Sequence, residues 1–198
     1  MISRYTFALV TLAALPTGLS AQHGATRGPP LNTVAPGEAR QFDFLVGQWN
    51  LAVKLPPPSL AVRIHGGAPK LIGTWKATRG LDGWGVEDEL RITDEAGNPM
   101  ALSRTVRVWD AAAKHWNTVS VDAYRARIST ATAEWKNGEM NSTSRGTDPD
   151  GTTYMLRTRV YDISPAGFKF QQDRSTDEGK SWTEGTLRLE AARAKPAP

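Results

Sequence analysis

The chain has 198 residues, of which 39% are hydrophobic and 22% charged, with 24 Lys+Arg against 20 Asp+Glu and no cysteine. That length suits one domain with a real core. The missing cysteine excludes a disulfide scaffold, a cysteine nucleophile, a thiolate metal site and a cysteine-ligated iron–sulfur cluster. The formal charge of +4 is not gathered into a long basic run, so nucleic acid is not an expected partner.

The first 21 residues read as a secretory signal. Arg4 supplies a positive start, Phe7 to Leu15 form a short apolar run, Pro16 and Gly18 break it, and Leu19-Ser20-Ala21 ends in small residues. The apolar run is shorter than the roughly 20 residues a membrane-spanning helix needs. Cleavage after Ala21 would leave an exported, periplasmic or secreted chain with no transmembrane segment. Residues 22–40 are rich in Gly, Pro, Ala and Thr and read as a flexible linker. The folded domain is expected over 41–190, and residues 191–198 read as a frayed tail.

The domain itself reads as all-β. Segments rich in Val, Thr, Trp, Tyr and Leu recur at short intervals. They give strands at 48–55, 70–79, 83–92, 102–109 and 115–122, then 124–134, 138–145, 153–163, 167–174 and 182–190. Turn chemistry separates them: Gly80-Leu81-Asp82-Gly83, Glu95-Ala96-Gly97-Asn98-Pro99, Asn137-Gly138, Asp148-Pro149-Asp150-Gly151 and Ser164-Pro165-Ala166-Gly167. Trp49, Leu51 and Val53 share one face of the first strand, Val119 and Val121 one face of the fifth, and Phe168 and Phe170 one face of the ninth. The one helical signal is a short turn at about 37–46. Some ten consecutive antiparallel strands with short links predict a meander that closes into a single up-and-down barrel, lipocalin-like, since closure removes exposed edges. The alternative is a two-sheet sandwich.

Phe42-Asp43-Phe44-Leu45-Val46-Gly47-Gln48-Trp49 resembles the opening of a bacterial family of exported, lipocalin-like (calycin-type) domains of unknown function. Leu71 to Trp75, Gly83 to Leu90, Val108 to Trp116 and Ser175 to Trp182 are similar to later strands and hairpins of that family. The resemblance implies a calycin-type barrel and carries no catalytic residues. The Pro-rich stretch at 56–58 departs from the shorter connection expected there.

The residues of the opening motif also read physically. Gly47 lets the chain bend tightly, Trp49 plugs one end of the barrel, and Phe42 and Phe44 pack a helical turn across that end. Ser175-Thr176-Asp177-Glu178-Gly179-Lys180-Ser181-Trp182 fits the Asp-box pattern. Its expected role is a hairpin in which Asp177 and Ser175 satisfy turn amides, Gly179 takes a positive φ and Trp182 packs beneath. Glycan recognition is its alternative.

For function, the sequence supports a barrel holding a small apolar or amphipathic molecule. Trp75, Trp84, Val106, Val108, Phe168 and Phe170 are the candidate lining, and an arginine, Arg107 first, fixes a polar end. The competing reading is a hydrolase or isomerase using Glu87, Asp88 or Glu89 as acid or base in the same cavity. Alternation puts Asp88 on the face of Trp84, Val86 and Leu90 and Glu87 and Glu89 on the other, so one carboxylate could point into the barrel and meet Arg104, Arg107, Arg157 or Arg159. An interaction protein with an exposed aromatic patch is a third reading. His23, His65 and His115 lack metal-ligand spacing, and no metal or cofactor is expected. The loop from Leu55 to Pro69 suits either a lid over the barrel mouth or a tolerated insertion.

Overall fold

The computed structural model describes residues 32–57 and 70–195. The signal segment, most of the expected linker with His23, the middle of the Pro-rich loop with His65, and residues 196–198 lie outside them. Two short 3₁₀ turns, Gly37–Arg40 and Asp43–Leu45, lead into the first strand. The strands are β1 (Gly47–Lys54), β2 (Leu71–Gly80), β3 (Gly85–Asp94), β4 (Pro99–Asp110) and β5 (His115–Asp122). They continue as β6 (Arg127–Lys136), β7 (Glu139–Thr147), β8 (Thr153–Ser164), β9 (Gly167–Ser175) and β10 (Thr183–Arg193). Each strand pairs antiparallel with its neighbours in sequence, and β1 pairs with β10, so the sheet closes into an up-and-down barrel.

The turns explain the order. Asp110 accepts hydrogen bonds from the amides of Ala112 and Ala113, and Asp122 from those of Tyr124 and Arg125. Each carboxylate replaces backbone bonds that the reversing chain cannot make. Asn137 and Gly138 both take positive φ, +56° and +80°, between β6 and β7.

The first 3₁₀ turn corrects the expected domain start. Ala39 is fully buried, so packing begins before Gln41. The composition of 36–37 hid this, because Pro and Gly signal a break wherever they fall. The expected tail is also corrected. β10 runs to Arg193, with Ala191 buried, because closure pairs it along β1 back to Trp49↔Arg193.

Up-and-down topology gives the barrel two distinct ends. One carries the 3₁₀ turns, the start of β1 and the end of β10, and it is closed by aromatic side chains. The Phe42 ring meets Trp116 edge-on at 4.9 Å, and Trp49 meets Phe168 at 4.9 Å. Trp109 meets Trp116 edge-on at 5.7 Å, and Phe44 contacts both Trp135 and Phe168. The Trp49 Nε1–H donates to the Leu45 carbonyl at 2.7 Å, tying the second 3₁₀ turn to the plug. Gly47, at φ +127°, makes the bend between them. The opening motif therefore does what its residues predict.

Candidate functional site

Pairing register and burial together assign each strand an inner face. On β3 the inward residues are Val86, Asp88, Leu90 and Ile92. On β4 they are Ser103, Thr105, Arg107 and Trp109, which sit opposite Leu90, Asp88, Val86 and the turn residue Trp84 through its carbonyl. Arg107 is thus the inward arginine next to Asp88, and the two form a buried ion pair. The other oxygen of Asp88 accepts the Trp75 Nε1–H at 2.7 Å. The Arg107 guanidinium lies 5.1 Å from the centre of the Phe42 ring. Burial pushes its pKa down to about 10, and it stays charged at neutral pH. This group forms a polar floor resting on the aromatic plug. A cavity of about 80 Å³ opens beside it, lined by Arg107, Thr118, Ser142, Thr158, Met140 and Phe170 among others. That is room for several waters, far below the 300 Å³ or so of a drug-sized site.

Above the floor the inner face changes character by sector. From β10 through β3 the inward side chains are apolar, including Leu187, Leu51, Val53, Leu71, Leu90 and Ile92. From β4 through β8 they are mostly hydroxylic, with Ser103 and Thr105 on β4, Thr118 and Ser120 on β5, Ser142 and Ser144 on β7, and Thr158 on β8, joined by the apolar Ala131 on β6 and Leu156 on β8. Thr105 and Ser120 hydrogen-bond to each other at 3.0 Å, and Ser142 pairs with Thr158. Ser103, Ser120, Ser144, Leu156 and Leu187 face inward yet remain partly exposed. The small hydroxylic side chains leave part of a ten-strand interior unfilled, which agrees with the partial exposure of this wall. At the rim opposite the plug, Arg127 donates to the Tyr154 hydroxyl at 3.0 Å, and Arg174 pairs with Asp148 while stacking 4.1 Å from the Tyr154 ring.

The expected lining is sorted by this geometry. Trp75, Phe168, Phe170 and Arg107 face inward, with Phe168 buried in the plug and Phe170 only partly covered. Trp84 sits in the β2–β3 turn at the plugged end, packed against the core and away from the open half. Val106 and Val108 require correction. They point outward, 40% and 37% exposed, because Arg107 between them takes the inner face. Val119 and Val121 likewise point outward, 47% and 43% exposed, and Thr118 and Ser120 turn in. The hydroxyl lining was visible in the sequence as Ser and Thr at alternate positions, but it carried the pattern of a solvent face.

The acidic run divides as alternation predicts. Asp88 faces in, and Glu87 and Glu89 face out. The Arg91 and Arg104 guanidinium groups hold Glu89 below the usual carboxylate range. Only Asp88 of the three therefore remains for chemistry inside the barrel.

The Asp-box hairpin lies at the open end but on the outer face. The Ser175 hydroxyl accepts from the Gly179 amide at 2.8 Å and donates to Asp177 at 2.7 Å. Asp177 also accepts from the Ser181 hydroxyl and amide at 2.6 and 2.9 Å, and these bonds bring its pKa down to about 2. Gly179 takes φ +87°, and Trp182 donates to its carbonyl at 3.0 Å. The Arg157 guanidinium stacks 4.5 Å from the Trp182 ring and donates to Asp173 at 2.8 Å. Burial pushes Asp173 up, but bonds from the Gly185 amide, Arg157 and Gln171 more than offset this and hold it low. This outer groove, about 540 Å³ along β7 to β9, is a clamp for the β10 bulge whose buried acid is fully engaged. Among the described residues, no helix is long and apolar enough to cross a membrane.

No protein-family model matches this chain, and no curated protein matches it.

Proposed function

We propose that the protein is an exported carrier or receptor of a small amphipathic molecule, held in the open half of a calycin-type barrel. The family resemblance of the opening motif and the signal-like first 21 residues belong to the same reading. What carries it is the inward set Ser103, Ser120, Ser144, Leu156 and Leu187, which is turned into the barrel and yet not buried. A purely structural barrel of this size would fill its interior with side chains. Trp75, Phe170 and the Asp88–Arg107 pair form the floor on which a ligand would rest.

Acid–base catalysis in the lumen is the weaker reading. Asp88 has both oxygens engaged by Trp75 and Arg107, and Asp122, inward at the rim opposite Ser103, is engaged by Arg125 and by the Tyr124 and Arg125 amides. Native mass spectrometry of protein purified from its source should find a co-purified small molecule. Anilinonaphthalene sulfonate, an amphipathic dye, should bind the ligand-free protein saturably at one site and quench tryptophan emission. Absence of saturable dye binding to the folded protein would refute the proposal.

A further inference from the structure

The open half is not lined as a greasy pocket, and its asymmetry bears on ligand class. On β4 and β5 the usual pattern of a barrel is inverted. Val106, Val119 and Val121 face water while Thr105, Thr118 and Ser120 face the lumen. Packing alone favours the reverse arrangement. Violations of a local rule concentrate where a site demands them. The opposite wall keeps the ordinary pattern, with Leu51, Leu71, Leu90 and Leu187 inward.

The hydroxyls also have unused capacity. Ser103, Thr118 and Ser144 make no side-chain hydrogen bond with another described residue. In each of the pairs Thr105–Ser120 and Ser142–Thr158, the accepting hydroxyl keeps its own proton free. A ligand that displaced water from this wall without replacing its hydrogen bonds would leave these groups unpaired, and a site of that kind discriminates strongly against such a ligand. Below the rim formal charge is matched, with Arg107 paired to Asp88; at the rim Arg174 is paired with Asp148 and Asp122 with Arg125, and Arg127 bonds the Tyr154 hydroxyl. The wall therefore asks for neutral oxygen groups.

Resting on the reading of the open half as the binding site, we propose that the ligand is facially amphipathic. It presents a hydrocarbon face to the wall of β10, β1, β2 and β3 and an oxygen-bearing face to the hydroxyl wall of β4 to β8. A simple acyl chain would leave the hydroxyl wall without hydrogen-bond partners.

The test uses the mature protein with bound anilinonaphthalene sulfonate and two steroid acids as competitors. Cholate carries several hydroxyls on one face. Lithocholate has the same skeleton and carboxylate with a single hydroxyl. An apolar pocket prefers lithocholate, the more hydrophobic of the two. The proposal requires the opposite order, with cholate displacing the dye at about tenfold lower concentration. The double variant Ser120→Ala, Ser144→Ala should lose about tenfold in cholate affinity and leave lithocholate within about twofold. Its thermal transition should match that of the wild type, which separates lost recognition from lost folding. Equal or tighter binding of lithocholate, or failure of both steroids to displace a saturably bound dye, overturns the facial assignment while the binding site stands. Failure of the dye itself to bind removes the site and the assignment together.

Discussion

At the plugged end, β4 and β5 turn Trp109 and Trp116 inward and bury both. A few residues further along, the same two strands turn Thr105 and Ser120 inward and leave valines outside. The backbone geometry is shared, and only the side chains differ. On the proposed reading, the difference teaches that stability and recognition are separated along the barrel axis. The aromatic end supplies the packing, and the hydroxyl half leaves its inward side chains partly exposed.

That contrast can be broken most sharply at Trp116. Trp116→Ala should cost about 3–5 kcal/mol, because a fully buried indole leaves a cavity that the plug cannot collapse. Ser144→Ala, on the same barrel's open half, should change stability by less than about 0.5 kcal/mol. Urea unfolding of the two variants compares the ends directly. Similar losses at both sites would mean that the lumen is packed after all.

The floor between the halves should be almost as sensitive. Asp88→Asn removes the partner of a buried arginine and should cost about 3–5 kcal/mol. Asp88→Asn combined with Arg107→Gln removes both charges and keeps an acceptor for Trp75, so much of the loss should return. A double variant as unstable as the single one would show that the ion pair itself, rather than the orphaned charge, holds the floor.

A smaller effect is expected at the outer hairpin. The folded-state pKa of Asp177, about 2, lies below the unfolded value of about 4. Its contribution to stability is therefore complete above about pH 4 and is lost as pH falls toward 2. Asp177→Asn should flatten that part of the stability profile between pH 5 and pH 2, measured by urea midpoints, and leave dye binding inside the barrel unchanged. The least effect belongs to Val119→Ser, which should alter stability by no more than about 0.5 kcal/mol if the side chain faces water. A large loss would return Val119 to the interior and undo the inverted face.

Strand order was legible because turn chemistry is local. Asn137-Gly138 and Ser164-Pro165-Ala166-Gly167 mark reversals without any knowledge of the rest of the chain, whereas the turns held by Asp110 and Asp122 carry no glycine or proline and were not legible as turns from residue chemistry. The phase of each strand was legible only where bulky residues decide it, as Trp49 does on β1 and Phe168 on β9. On β4 and β5, alternation announces two faces but does not say which one looks inward, since both see water in an open barrel. Assigning valine to the inside was the natural reading and the wrong one. Alternation set Asp88 on the face of Val86 and Leu90, opposite Glu87 and Glu89, but left open which carboxylate looks inward and which of four arginines it meets. Register chose Arg107, opposite Val86, and register depends on the length of the β3–β4 hairpin as a whole.

The absence of cysteine from the chain makes the central claim, an accessible binding lumen in the hydroxyl half, directly measurable. A single Ser144→Cys variant places a thiol on the inner wall, and Val119→Cys places one on the outer face of β5. Iodoacetamide should alkylate both. Anilinonaphthalene sulfonate at about ten times its dissociation constant should slow the reaction at residue 144 about tenfold and leave that at 119 unchanged. An inert thiol at 144 in the folded protein, or one that the saturating dye does not protect, would contradict the account.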